Sequence, residues 1–415
     1  MRATELLGEA TRAEIFGQVL TAGPISRSGL AARLGLSPST VTRLLPPLLE
    51  ADYIREEAEP GPAAGPGRPQ RLLSVNLERH LVVGVKIAPN VVSGVVTDMG
   101  ARVLARASLD IDGCAPEIAL NAAGRLVRRL LGSVPQGTVR TLGVGVGLGG
   151  HVDAASGICR YSGILGWRDV DVASPLAAAT GLPVVVGNDV NALVVAQRWF
   201  GAGRESDTFA VVTIGAGIGC GLLVGGALFT GSSGLAAEFG HIPIDPAGPV
   251  CTCGRRGCLE ALACSESVLA RLRHVGIALP DIAAAAALAR TEPAAFGPEP
   301  FEPTASDVRA ARAAFAAAGD ALGRGLATLC NLINPELVIL AGEGVSVYDL
   351  LRPAVHDALS HHAFSSAAAD CTVLVDPVDD DMWTRGAACL VLRATVRAPL
   401  LSKHHPPATR PSLAA

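Results

Sequence analysis

Between Glu238 and Glu260 the chain reads EFGHIPIDPAGPVCTCGRRGCLE, a stretch that leaves little freedom to any fold containing it. His241, Cys251, Cys253 and Cys258 offer one imidazole and three thiols. A CxC pair, a further cysteine five residues on and a histidine ten residues upstream match the donor set of a tetrahedral zinc site. Gly254 and Gly257 let the backbone curl around an ion, because glycine enters positive φ at no steric cost. A polar, glycine- and proline-rich loop has no other evident use for three buried thiols. The loop at 241–258 is therefore predicted to hold a structural zinc ion, whose four protein donors leave no open position for a hydrolytic water. Glu238 and Glu260 bracket the donors, and the folded knot is expected to bring these two carboxylates together.

The other seven cysteines (Cys114, Cys159, Cys220, Cys264, Cys330, Cys371 and Cys389) are scattered singly, which suits a reducing cytosol and not a disulfide scaffold. A chain of 415 residues, 49% hydrophobic and 17% charged, holds enough apolar material for two or three cored domains and excludes a disordered one. The net charge of -4 argues against a uniformly basic nucleic-acid binder and leaves local patches open. Lysine occurs only at Lys86 and Lys403, so arginine carries nearly all the positive charge. The first twenty residues contain Glu5, Glu9 and Glu14, and no apolar run reaches the length of a signal or a membrane span. A cytoplasmic location without membrane association is expected.

Residues 8–22 read as a helix with Ile15, Phe16, Val19 and Leu20 on one side. Ser26 then caps a second helix, Arg27 to Leu34, Gly35 makes a turn, and Ser37-Pro38 opens a third. Leu30, Ala31, Leu34, Gly35, Leu36, Val41 and Leu44 fall where a helix-turn-helix needs its core, its small residue and its turn glycine. Ser37, Ser39, Thr40, Thr42 and Arg43 lie at the start of the third helix, where base edges and phosphates are met in the major groove. Pro46-Pro47 is expected to kink or stop that helix. Tyr53–Arg55 and Arg71–Val75 read as two strands flanking the Pro60–Pro69 connection, the layout of a winged helix. Arg68 at the wing is suited to a narrow minor groove. Formal charge over 1–75 is balanced, eight arginines against eight acids, so DNA affinity must come from their arrangement. The DNA-binding domain is placed at 1–76.

From Leu81 the pattern becomes apolar runs with glycines. Leu81–Ile87, Val91–Thr97 and Val103–Ala107 read as a strand trio, followed by a helix at 117–131 and a strand Leu142–Val146. The order repeats with Phe209–Ile214, Gly219–Val224, Ala227–Phe229, a long helix at 305–331 and a strand Leu337–Leu340. Two such halves describe an α/β body of actin-like, sugar-kinase (ribonuclease H-like) architecture with two lobes, placed at 77–398, whose ligands sit in the cleft at strand ends. Residues 291–304 read as a surface loop and 399–415 as a disordered tail.

Gly187-Asn188-Asp189-Val190-Asn191-Ala192, Gly215-Ala216-Gly217-Ile218-Gly219, Glu238-Phe239-Gly240-His241, the run from Cys251-Thr252-Cys253-Gly254 through Glu260, and Asn334-Pro335-Glu336-Leu337-Val338 together resemble the ROK family (repressors, open reading frames and kinases). With the winged helix, residues 8 to about 395 resemble its sugar-responsive transcriptional repressors. The resemblance implies that His241, Cys251, Cys253 and Cys258 are zinc ligands. It implies that Asn188, Asp189, Glu238, His241 and Glu260 hydrogen-bond sugar hydroxyls. The residue chemistry agrees, since carboxylates and amides pair bidentately with vicinal hydroxyls, and a zinc-bound imidazole keeps a second N–H for a sugar.

In the kinases of the family, Asp189 would be the catalytic base and a DxGGT loop would cradle ATP phosphates. At the place of that loop this chain has Lys86-Ile87-Ala88-Pro89-Asn90, with the carboxylate replaced, both glycines gone and an amide lost to Pro89. The second glycine loop has Ala216 in place of a hydroxyl, and Ala341-Gly342-Glu343-Gly344 adds a carboxylate. The expectation is a non-enzymatic repressor that binds a double-stranded operator, with Asp189 a vestigial base. A sugar or sugar phosphate acts as effector on a homodimer or tetramer. The other class left open is an ATP-dependent, glucokinase-like sugar kinase with an accessory DNA-binding domain.

Overall fold

A computed structural model of the chain describes residues 10–58, 71–134, 139–292, 304–376, 379 and 381–396. The wing with Arg68, most of the 291–304 connection and the 399–415 tail lie outside the described residues.

Helix α1 (Ala10–Ala22) leads to a two-residue strand β1 (Ile25–Ser26) and then to α2 (Arg27–Leu34), α3 (Pro38–Leu44) and α4 (Pro46–Glu50). The caps are those the sequence indicates. Ser26 Oγ accepts from Gly29 N at 3.1 Å, Ser37 Oγ accepts from Thr40 N at 3.1 Å, and Gly35 turns the chain at φ 62°. The stop at Pro46-Pro47 is a clean break between α3 and α4, because neither proline donates the amide that would continue the ladder. Strands β2 (Ile54–Ala58) and β3 (Arg71–Val75) form the wing hairpin, with β1 on the other edge of β3. Tyr53, expected to open the first wing strand, instead lies just before it, 2% exposed, with its ring edge-on to Phe16.

The body carries two five-stranded sheets of matching topology. In the first, β4 (His80–Ala88), β5 (Val91–Thr97) and β6 (Val103–Asp110) form an antiparallel meander, and helix α5 (Pro116–Gly132) returns the chain to β7 (Arg140–Leu148), parallel to β4. A small sheet of β8 (His151–Asp153), β9 (Ile158–Ser162) and β10 (Trp167–Asp171), then α6 (Ala173–Thr180), precede β11 (Val184–Asn188), which completes the order β11-β7-β4-β5-β6. Helix α7 (Asp189–Phe200) crosses to the second lobe. There β12 (Phe209–Ile214), β13 (Ile218–Val224) and β14 (Ala227–Phe229) form the meander. Helices α8 (Leu259–Ala263), α9 (Ser265–His274), α10 (Ile282–Arg290) and α11 (Ala305–Ile333) intervene. Strand β15 (Leu337–Ala341), helix α12 (Tyr348–His362) and strand β16 (Thr372–Val375) complete the order β14-β13-β12-β15-β16. Helix α13 (Met382–Val396) then returns to the first sheet, packing on β4, β7 and β11 and on α7.

That return explains two sheet glycines. A Cβ on Gly84 would stand 1.9 Å from Thr384 O, and one on Gly145 would stand 1.8 Å from Ala387 O, so α13 rests directly on bare backbone. The winged helix is joined to this layer. Ile15, Phe16, Leu45 and Leu73 belong to one buried cluster with Val82, Leu142, Val194 and Leu392, and α1 packs against α7 and α13. His80, the first residue of β4, stacks on Tyr53 at 4.4 Å between ring centroids. Burial, joined by the Arg79 and Arg140 guanidiniums, pushes His80 down to about 4, against a weaker pull from the Ala51 carbonyl and Asp52.

Candidate metal knot and ligand cleft

The four zinc-type donors converge. His241 ends a one-turn 3-10 helix (Phe239–His241), Cys251 and Cys253 sit on the turn that follows, and Cys258 caps α8. One donor atom from each lies within 4.8 Å of all the others. Cys253 Sγ to Cys258 Sγ is 3.7 Å, and Cys251 Sγ to His241 Nδ1 is 3.6 Å. A tetrahedron with metal–sulfur bonds of about 2.3 Å and metal–nitrogen bonds of about 2.0–2.1 Å has edges of about 3.8 Å and about 3.6 Å. The donor set and spacing therefore fit a tetrahedral d10 ion, which His241 would hold through the Nδ1 that faces Cys251 Sγ. Desolvation and the neighbouring thiols push Cys258 up to about 12, whereas the Arg255 backbone amide leads the pull on Cys253 to below its usual range. Gly257 makes the wrap feasible: at φ 63°, a Cβ there would lie 1.5 Å from Asp245 O.

The knot reaches the second glycine loop through Glu260. Its Oε2 accepts from Ile218 N at 3.2 Å and its Oε1 from Thr252 Oγ1 at 3.0 Å. Glu238 is exposed and precedes the 3-10 helix. Asn188 ends β11 and caps α7, accepting from Asn191 N at 3.0 Å while its Nδ2 donates to Gly150 O at 3.1 Å. Asn188 thus caps a 12-residue helix. Asp189 opens that helix, is buried at 7% exposure, and takes the Val190 amide at 2.9 Å on Oδ1.

Two contacts at Lys86 and at the second glycine loop join segments far apart in the chain. The Lys86 ammonium is paired with Asp189 Oδ2, and Trp383 of α13 covers it with a ring whose centroid is 4.6 Å away. Glu343 reaches the second glycine loop, where its Oε1 accepts from Ala216 N at 2.9 Å. A Cβ on Gly215 would meet that carboxylate at 2.1 Å, so glycine here makes room for Glu343. Pro89-Asn90 is only the tight turn between β4 and β5, which pair through Ala88 and Val91.

At the other end, Ser37, Ser39, Thr42 and Arg43 are exposed on the first turns of α3 and Thr40 is half-buried. The Ser37 hydroxyl is shared among the Thr40 amide and the hydroxyls of Ser39 and Thr40, each of the latter at 2.8 Å. Among the described residues no helix is long and apolar enough to cross a membrane.

The architecture is that of a winged-helix DNA-binding domain joined to a two-lobed, sugar-kinase-like body. The chain belongs to the ROK family, whose model matches residues 83–394, and a winged helix-turn-helix DNA-binding model matches residues 11–55. It is 34% identical over 249 residues to the glucokinase of Thermotoga maritima, covering 60% of this chain and 78% of that one. It is 26% identical over 380 residues to the xylose repressor of Bacillus subtilis, covering 91% of this chain and 94% of the repressor. The crystal structure of a ROK family transcriptional regulator, described as a homolog of the E. coli MLC protein, superposes with a TM-score of 0.75 at 24% identity. It covers 93% of this chain and 96% of that one.

Proposed function

We propose that the chain is a DNA-binding transcriptional repressor whose kinase-like body senses a sugar or sugar phosphate without phosphorylating it. The observation that carries this reading is the pairing of Lys86 with Asp189. A kinase needs that carboxylate to receive the proton of the attacking hydroxyl and a bare-amide cradle for phosphates beside it. Here an ammonium holds the acceptor oxygen. Glu343 supports the same conclusion, since its carboxylate takes the Ala216 amide and brings negative charge to a loop that would need to attract a triphosphate. The relation to the xylose repressor supports the regulatory half, because an alignment of 380 residues in a chain of 415 must run into the winged helix.

In this reading Asn188, Asp189, Glu238, His241 and Glu260 surround the sugar hydroxyls, and the winged helix presents Ser37, Ser39, Thr40, Thr42 and Arg43 to an operator, with Arg68 on the wing. Zinc, bound by His241, Cys251, Cys253 and Cys258, supplies rigidity and no chemistry. It would fix the His241 ring and, through α8, Glu260. The protein works as a cytoplasmic homodimer or tetramer. Sugar binding closes the cleft, turns the subunits, and alters the spacing of two recognition helices that must meet half-sites about 34 Å apart. An assay of ATP-dependent phosphorylation over a panel of sugars tests the non-enzymatic half. No product above background is expected, and turnover at about 1–100 s⁻¹, the ordinary kinase range, would establish the glucokinase-like alternative.

A further inference from the structure

The end of α7, the start of α13 and the β5–β6 turn border an open cleft of about 480 Å³, within the size range of small-molecule sites. Its lining includes Arg102, Arg106, Arg204 and Arg385, together with Asp379 and Asp381. Among the described residues of the lining, four guanidiniums face two carboxylates. The carboxylates are already engaged: Asp381 by Arg106 at 2.9 Å, and Asp379 by Arg385 Nη1 at 2.5 Å. Arg204, in the one-turn helix Ala202–Glu205, spends one N–H on Thr21 O of α1 at 2.6 Å and keeps the rest of its fork. Arg102 stands exposed at the start of β6 with no side-chain ion pair among the described residues. Among the described residues, the buried Arg385 Nε has no hydrogen-bond partner, which leaves one donor of this guanidinium unsatisfied.

We propose that this cleft is a second ligand site, separate from the sugar cleft, for a small molecule bearing a phosphoryl group. Guanidinium forks match phosphate oxygens bidentately, and several around one cavity is the arrangement a dianion requires. The position gives such a ligand leverage. Helix α7 begins at Asn188-Asp189 and ends in the cleft at Phe200, a span of about 18 Å at 1.5 Å per residue. Arg204 ties the same cleft to α1 of the winged helix. A phosphoryl group drawing Arg204 and Arg102 together acts on the joint between the DNA-binding domain and both lobes. The phosphoryl group can come from an inorganic anion or from a phosphate ester, and the chemistry of recognition is shared.

The test is a calorimetric titration of the full chain at constant ionic strength, with inorganic pyrophosphate in one arm and glucose 6-phosphate against glucose in the other. One saturable pyrophosphate site per chain is expected, weakened at least tenfold in Arg102→Gln/Arg204→Gln and unchanged in Asp189→Asn. Glucose 6-phosphate losing affinity in the same double variant would identify the ester as a source. Should the double variant fail to fold, Arg102→Gln alone carries the test, since that exposed side chain makes no ion pair among the described residues. The absence of saturable pyrophosphate binding up to about 5 mM, a free energy weaker than about 3 kcal/mol, overturns the proposal. So does binding that survives the double variant, or that is lost in Asp189→Asn. Pyrophosphate has no sugar hydroxyls, so these outcomes leave the repressor reading untouched.

Discussion

Replacing Lys86 with methionine keeps most of the side-chain volume and removes the ammonium paired with Asp189. Lys86 and Asp189 side chains are 16% and 10% exposed, so the change strands a nearly buried carboxylate. Breaking a buried ion pair costs about 3–5 kcal/mol. Two local features reduce that figure here. The Val190 amide already serves Oδ1, and the N-terminus of α7 stabilises a negative charge by about 0.5 kcal/mol. Lys86→Met is therefore expected to cost about 2–3 kcal/mol. Asp189→Asn strands the ammonium instead, with the Trp383 ring recovering about 1 kcal/mol, for a net cost of about 2 kcal/mol. The double variant buries no charge and should lose only about 2 kcal/mol, which leaves a coupling energy of about 2–3 kcal/mol. Urea unfolding of the four proteins, followed by tryptophan fluorescence, measures this directly. Additivity within about 0.5 kcal/mol, or a Lys86→Met protein as stable as the parent, would refute the claim that Lys86 serves as the internal counter-ion of Asp189.

Metal analysis should find about one zinc per chain, lost in Cys258→Ser, and chelation should lower the apparent melting temperature by about 5 °C or more, since zinc binds only the folded knot. His80 should make the protein acid-sensitive. Its folded value of about 4 lies below the 6.5 of an unfolded histidine, so the unfolded chain takes up the proton first. Stability is then lost as pH falls from 6.5 towards 4, by about 3 kcal/mol at most, and His80→Phe, which keeps the stack on Tyr53, should flatten that part of the profile in urea titrations at stepped pH. Arg43→Ala should weaken operator binding by about 1–3 kcal/mol if the guanidinium reads a base, measured by anisotropy at fixed salt, while the sugar-induced thermal shift stays intact.

Much of this molecule was legible in its sequence because the informative patterns were local. Caps at Ser26 and Ser37, the break at Pro46-Pro47 and the strand trios follow from nearest-neighbour chemistry, and the spacing from His241 to Cys258 points to the four donors that converge. What escaped was either too short or too distant. Strand β1 has two residues, too few to show a period, and it exists because β3 offers an edge. Tyr53 reads as a strand residue until Phe16 and His80 close on it. Lys86 and Asp189 are 103 residues apart, and Ala216 and Glu343 are 127 apart. Lys86 and Pro89 were legible as departures from the DxGGT pattern. That Lys86 pairs with Asp189, and that Glu343 takes the Ala216 amide, needed the sheets to bring those segments together. The arginine cleft left no motif, since its residues come from the β5–β6 turn, the end of α7 and the start of α13.

Sensing without catalysis is tested most directly by titrating an operator, selected from random DNA by the full-length protein, in the presence of each member of a sugar and sugar-phosphate panel at one salt concentration. A sugar that couples to the winged helix by about 1–3 kcal/mol shifts operator affinity about 5- to 150-fold, and the same compound should raise the melting temperature of the free protein. Operator affinity that stays constant with every compound, including one shown to bind the cleft, would contradict the account.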